Sequence, residues 1–175
     1  ASMKFSFAIL TWNRKAFLEQ CLASLIESVG DRDDLEILVM DNGSTDGTRE
    51  YLAQFEADHR FRIFTLGRNF GLSSYKKLFT RARGDYVVVV DDDVLEFPDE
   101  ITAIFESYMT AFVDFGFLAL NVVQNEHTNG AKPPDDHYTV VEREGKAVLE
   151  GPTGGWCACF RRKDFRKIRF LFNLK

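Results

Sequence analysis

Residues 86–93 read Tyr86-Val87-Val88-Val89-Val90-Asp91-Asp92-Asp93, an apolar run that stops abruptly at three acids. One aromatic and four valines in succession leave no polar face, so the run is a strand covered on both sides, as in the interior of a parallel sheet. Towards the N-terminus, Phe5 to Thr11 is a second short apolar run, bounded by Lys4 and Asn13-Arg14 and too short for a helix. From Lys15 to Val29 the apolar residues Leu18, Cys21, Leu22, Leu25, Ile26 and Val29 follow the spacing of one helical face, and Gly30 ends it. Leu35 to Met40 is another strand. It runs into the turn-rich Asp41-Asn42-Gly43-Ser44-Thr45-Asp46-Gly47, whose Ser, Thr and Asp can cap a helix carrying Tyr51, Leu52 and Phe55. Phe61 to Thr65 gives a third strand, Gly67 to Ser73 a loop, and Ser74 to Arg83 a helix with Tyr75, Leu78, Phe79 and Ala82 on one side. After the valine strand, Pro98 suits a first helical turn, and Ile101, Ile104, Phe105, Tyr108 and Phe112 continue a helical stripe.

Strand and helix thus alternate four times, the pattern of βαβ units. It predicts an α/β fold: a mostly parallel central sheet, helices on both faces and right-handed crossovers. The first two-thirds of the chain is Rossmann-like. Beyond Phe112 the rhythm changes. Phe115 to Val123 reads as a strand, 124–136 as a polar loop, Tyr138 to Arg143 with Ala147 to Glu150 as a hairpin, and Trp156 to Phe160 as a further strand. A small antiparallel addition near the C-terminus is therefore expected.

The 175 residues point to a single domain over 1–175, against a norm of about 150 per domain. Such a chain buries roughly 70% of its unfolded surface. At 45% hydrophobic and 28% charged residues, disorder and fibrous architectures are excluded. The net charge of −5 lacks the basic footprint of a nucleic-acid binder, so no nucleic-acid partner is expected. Cys21, Cys157 and Cys159 form no CxxC pair, which argues against a disulfide framework or zinc knuckle and for a reducing compartment. No run approaches the roughly 18 apolar residues of a membrane span. A cytoplasmic protein is expected, with Ala1-Ser2 a cloning remnant ahead of a native Met3.

In an open parallel sheet, ligands bind beyond the carboxyl ends of the strands. Four polar clusters fall at those ends: Thr11-Trp12-Asn13-Arg14, Asp41 to Asp46, Arg68-Asn69-Phe70-Gly71, and Asp91-Asp92-Asp93. Each alone could be a helix cap or a turn, and the acids a solvated loop. Four on one rim imply one site. Three adjacent carboxylates repel one another, and a divalent cation would relieve that repulsion. Asp91 and Asp93, two apart, can reach one face, and hard oxygen ligands suit magnesium or manganese, which keep positions open for phosphate oxygens. GxGxxG, GxxxxGK[ST], GxSxG and HExxH are all absent, so the cation would neutralise a diphosphate without a glycine-rich cradle. That favours a nucleoside-diphosphate ligand. His59, His127 and His137 are assigned no role.

The order of these motifs, from Thr11-Trp12-Asn13-Arg14 through 39–48, 68–72 and 90–93 to Gly154-Gly155-Trp156, resembles the family 2 glycosyltransferases of the GT-A fold over nearly the whole chain. The resemblance implies a metal-dependent, inverting transfer of a sugar from a nucleoside-diphosphate donor to a saccharide or glycan acceptor, as in polysaccharide or cell-wall assembly. A UDP-sugar is the commonest donor, with dTDP- and GDP-sugars as alternatives, and peripheral membrane association could come through the acceptor. It places Thr11, Asn13, Arg14 and Gly43 against the nucleotide, Asp41 on the base, and Arg68, with Asn69 and Gly71, at the base or diphosphate. Asp91 falls to the ribose, and with Asp93 to the cation side of the motif; Asp92 falls to ribose or sugar, and Asp93 to a manganese or magnesium ion. Gly154, Gly155 and Trp156 resemble the acceptor floor, where an indole face suits a sugar ring; a core Trp with its N–H satisfied is the plainer reading.

One departure stands out. The family's general base belongs to an acidic pair beyond the Gly-Gly-Trp strand and the helix after it, and Lys175 is reached before any such pair. No catalytic base is therefore named, and the chain reads as C-terminally short. Glu142, Glu144 and Glu150 do not match the position. Two rivals remain: a sugar nucleotidyltransferase, which calls for a Gly-rich, Arg- and Lys-bearing loop where Trp12-Asn13-Arg14-Lys15 stands, and a non-catalytic nucleotide-sugar or glycan-binding module.

Overall fold

A computed structural model describes residues 2–121 and 135–165. The elements in chain order are β1 (Phe5–Thr11), α1 (Lys15–Val29), β2 (Leu35–Asp41), α2 (Thr48–Ala53), β3 (Phe61–Thr65), α3 (Ser74–Phe79), β4 (Tyr86–Asp91), α4 (Ile101–Ala111), β5 (Phe117–Ala119), β6 (Thr139–Arg143), β7 (Lys146–Glu150) and β8 (Cys157–Arg161). Six strands form one sheet in the order β3-β2-β1-β4-β8-β5, and β6-β7 form a separate hairpin. β1 to β4 are mutually parallel where they pair, whereas β8 is antiparallel to both β4 and β5. The mostly parallel sheet with a small antiparallel addition thus stands as the alternation of elements predicts.

Both faces of the sheet are covered, which is why β1, β2 and β4 carry no polar face. Phe5, Phe7 and Ile9 of β1, with Val88 and Val90 of β4, enter the larger core under α1 and α4. Ala8, Leu38, Met40, Val87 and Val89 enter the smaller core under α3. Successive strand residues point to opposite faces, so one strand feeds two cores. Register then fixes the rim: Thr11 lies opposite Asp41, and Leu10 opposite Asp91. The strand order turns around β1, flanked by β2 and β4, which opens a crevice at their carboxyl ends.

Several boundaries differ from the periodicity. α3 stops at Phe79 instead of Arg83, because Arg81 and Ala82 tighten onto carbonyls three residues back and the Arg83 N–H turns to the buried carboxylate of Glu36. Pro98 precedes α4 rather than opening it. Glu100 takes a left-handed conformation, and Ser28 of α1 accepts from the Ile101 N–H while donating to the Pro98 carbonyl. β5 begins at Phe117 because Phe115 closes a turn on the Phe112 carbonyl. Its expected end at Val123 lies outside the described residues, as does most of the polar loop; Asp135–His137 form a single 3-10 turn.

Candidate functional site

The loop after β1 and the loop after β2 are tied together. Asn13 adopts a left-handed backbone (φ 50°), which Asn tolerates better than most side chains. Its N–H donates to the Ser44 hydroxyl at 2.9 Å, and its side-chain oxygen accepts from the Thr45 N–H at 2.7 Å. Asp46 accepts from the N–H of Lys15 and from the N–H and hydroxyl of Thr48, so one carboxylate caps both α1 and α2.

Asp41, at the end of β2, is fully buried. One carboxylate oxygen accepts from the Ser44 N–H at 2.9 Å, while Oδ2 is buried with no hydrogen-bond partner among the described residues. Buried polar atoms are nearly always paired, which makes this acceptor at the end of β2 an exception. Next to it, Gly43 has φ +82°, and a Cβ there would stand 2.7 Å from the Arg68 carbonyl carbon. Glycine is required on both counts. The β3–α3 loop therefore lies directly on the β2–α2 loop, and Asn42 locks the contact: it donates to Asn69 Oδ1 at 2.8 Å and accepts from the Phe70 N–H and the Ser74 hydroxyl. Asn69 also holds the Gly71 N–H, and the Arg68 guanidinium rests on the Phe70 ring.

The acidic triplet closes the crevice from the β4 side. Thr11 donates to Asp92 at 2.9 Å, and Arg14 reaches both Asp92 and Asp93 at 3.2 Å. Asp92 is nearly buried, whereas the Asp93 side chain is 47% exposed on the rim. Burial is the main cause that pushes the Asp91 carboxyl up to about 6, reinforced by the charges of Asp93 and Asp92 and opposed by Arg14 and a hydrogen bond with Tyr75. Burial likewise raises Asp92, against the hydrogen bonds of Thr11 and Arg14. Tyr75 is held well above the ordinary phenol value by burial and by the same three carboxylates, and burial raises the Cys21 thiol, which lies under the Asp91 carbonyl.

Among the described residues no three His, Cys, Asp or Glu converge to enclose an ion. Magnesium and manganese need fewer, since one or two carboxylates plus ligand phosphates hold them. The exposed Asp93 carboxylate and the crowded Asp91 fit that donor set. Sequence reasoning missed Tyr75: its place in the apolar stripe of α3 is legible, its phenol's reach to Asp91 is not.

Trp156 joins this rim to a second region. Its carbonyl accepts from the Asp91 N–H at 2.8 Å and its indole N–H donates to the Leu120 carbonyl at 2.8 Å. The ring is half-buried and backs onto Gly154, where a Cβ would fall 2.0 Å from it. A cavity of about 830 Å³ opens beside the indole, walled by α4 (Tyr108), β5 (Leu118), the β6-β7 hairpin (Leu149) and Gly154. Trp156 is thus a packed residue with a satisfied N–H and also a cavity wall. Glu142 and Glu144 sit on the hairpin and its turn, remote in sequence and hydrogen bonding from the acidic triplet.

Comparison with known proteins matches the fold. The chain is 28% identical over 146 residues to the abequosyltransferase RfbV of Salmonella typhimurium, covering 78% of this chain and 44% of RfbV. It is 26% identical over 176 residues to an uncharacterized glycosyltransferase of Nostoc, covering 95% of this chain and 53% of that protein. Among solved structures, residues 1–349 of S. aureus TarS superpose with a TM-score of 0.71 at 19% identity, over 95% of this chain and 49% of that one. A Pyrobaculum calidifontis mannosyltransferase in complex with GDP-Man and Mn2+ superposes with a TM-score of 0.67 at 19% identity, over 96% of this chain and 47% of that one. The chain therefore spans about half or less of the length of these relatives. The family model for glycosyl transferase family 2 matches residues 6–169, nearly the whole chain, and the protein belongs to that family.

Proposed function

We propose that this chain forms the nucleotide-sugar site of a glycosyltransferase that moves a sugar from a nucleoside-diphosphate donor to a hydroxyl of a saccharide or glycan. The observation that carries the reading is the meeting of the β1, β2 and β4 rim clusters around one crevice, with the unpaired Asp41 oxygen at one end and the exposed Asp93 carboxylate at the other. Asp41 Oδ2 takes a base N–H. Uracil, thymine and guanine present a ring N–H on their pairing edge, whereas cytosine and adenine present a ring acceptor there beside an exocyclic amino group. Support comes from relatives whose structures hold UDP, UDP-GlcNAc or GDP-Man, all of which carry such bases.

In this reading Thr11, Asn13, Arg14 and Gly43 line the nucleotide, Arg68 with Asn69 and Gly71 bounds it on the far side, and Asp91 and Asp92 meet ribose or sugar. Asp93, with Asp91 beside it, would hold a manganese or magnesium ion, which when bound stabilises negative charge on a departing diphosphate. Arg14 keeps Asp92 and Asp93 in place before the cation arrives. Gly154, Gly155 and Trp156 face the acceptor, with the indole offering a flat apolar wall to a sugar ring. Inversion by direct displacement calls for a carboxylate base on the acceptor hydroxyl, and no described residue is assigned that part.

Calorimetric titration of UDP, GDP, dTDP and a UDP-sugar, each with and without manganese, tests the reading. Metal-dependent binding of at least one nucleotide is expected. Absence of binding by all of them, in folded protein, would overturn the reading for this chain.

A further inference from the structure

We propose that the face built by β3 and α3 docks on an anionic phospholipid bilayer, with Leu72 entering the headgroup region. The chain carries −5 overall, yet between Asp58 and Asp85 there are seven Lys and Arg and no carboxylate. Arg60 lies near Asp58, and Arg62 is taken by the buried Glu36. Arg68, Lys76, Lys77 and Arg81 are exposed, and none pairs with a carboxylate among the described residues.

Ring contacts draw these cations into one strip. Arg68 and Lys77 both lie over Phe70, at 4.8 and 3.8 Å from its centre, and Arg81 joins Arg62 over Phe64 at 5.0 and 5.4 Å. Arg81 also donates to the Lys77 carbonyl, which links the two groups along α3. The charged groups themselves rest against the ring faces, and Arg68, Lys77 and Arg81 remain exposed to solvent. Leu72 stands at the edge of this strip, four residues before Lys76, and is 74% exposed, the most exposed large hydrophobic side chain among the described residues.

An apolar tip beside clustered cations is the pattern that suits an anionic bilayer: the cations meet the negative surface potential and the tip enters the boundary region. A nucleic acid would meet the cations equally well but gives Leu72 nothing to enter. The strip continues into the β3–α3 loop, where the Phe70 N–H is held by Asn42, so docking would present the rim of the crevice close to the membrane. The inference stands apart from the donor reading, since its readout needs no nucleotide.

Flotation of the whole chain with vesicles tests it, using phosphatidylcholine alone and phosphatidylcholine mixed with phosphatidylglycerol. Each cation near such a surface changes partitioning about fivefold. Binding is expected only to the mixed vesicles, falling steeply with added salt. Charge reversal by Lys76→Glu, Lys77→Glu and Arg81→Glu together should lower the partition coefficient more than about tenfold, and Leu72→Ser should lower it severalfold, with circular dichroism matching the parent. The milder pair Lys76→Gln and Lys77→Gln covers the case in which the triple variant misfolds. The proposal is overturned if the parent ignores mixed vesicles, if neither set of charge variants weakens binding, or if Leu72→Ser binds like the parent while heparin competes, which would make the face a general polyanion surface.

Discussion

Asp91, at the scale of one residue, carries a carboxyl whose crowding costs stability and which the proposed function assigns to the donor site. Its backbone finishes β4, its N–H is held by Trp156, and its carboxyl is half-buried beside two further carboxylates. With the carboxyl pushed up to about 6 by burial and by Asp93 and Asp92, the folded chain holds a proton there that the unfolded chain has already released. Stability therefore falls as pH rises through the window from about 4 to 6 and stays reduced above it. Asp91→Asn removes the charge and keeps an acceptor for Tyr75. In EDTA, urea unfolding should show the variant more stable by about 1 kcal/mol above pH 7 and equal to the parent near pH 4, a figure discounted for partial exposure. A variant less stable than the parent at neutral pH would mean that the carboxylate's contacts outweigh its crowding. Asp41 poses the complementary case, one oxygen satisfied and one not. Asp41→Asn retains an acceptor for the Ser44 N–H but turns a donor towards the crevice, and nucleotide affinity should drop about ten- to hundredfold in calorimetry. The residue types at these positions are legible in the sequence. That only one oxygen of Asp41 lacks a partner, and that Tyr75 turns its phenol to Asp91, depends on how β2 and α3 pack.

At the scale of elements, the strands with two covered faces are legible to within a residue, because continuous Val, Ile and Phe have no other comfortable home. β1 and β3 match their apolar runs, and β2 and β4 each extend one residue further, to the first acid of the rim. Helix ends are less legible where the partner that sets them is distant in sequence. α4 starts at Ile101 because a serine on α1 takes its first free N–H, a link 73 residues long. Ser28→Ala removes that acceptor and the donor to Pro98 at a nearly buried position, so chemical denaturation should show a loss of about 1–2 kcal/mol. The contact between the β2–α2 and β3–α3 loops has a similar character. Gly43 is readable as a turn residue, but its close approach to the Arg68 backbone is not. Gly43→Ala must shift that backbone as well as strain its own, and a loss of about 2 kcal/mol or more is expected, together with weaker nucleotide binding.

Across the whole molecule, the parallel half and its rim follow from alternation alone, whereas the cavity beside Trp156 does not, since its walls come from α4, β5 and the hairpin, which no single pattern joins. Under the proposed function, the rim also sets how the chain responds to ligands. Among the described residues, Asp91, Asp92 and Asp93 share one positive side chain, Arg14, so a cation alone meets few ligands and a diphosphate alone meets three carboxylates. Each relieves the other's deficit, and the two should bind with positive coupling. At about a hundred times its dissociation constant, a ligand adds about 2.7 kcal/mol to stability, which for a chain of this size corresponds to a rise in Tm of about 5–10 °C. Thermal unfolding without additions, with manganese, with UDP and with both should show a shift for the pair larger than the sum of the separate shifts. Asp93→Asn should erase the excess while leaving the nucleotide-only shift in place. Separate shifts that simply add in the parent would mean that the acidic triplet and the nucleotide do not share a cation, and Asp93 would lose its assigned part.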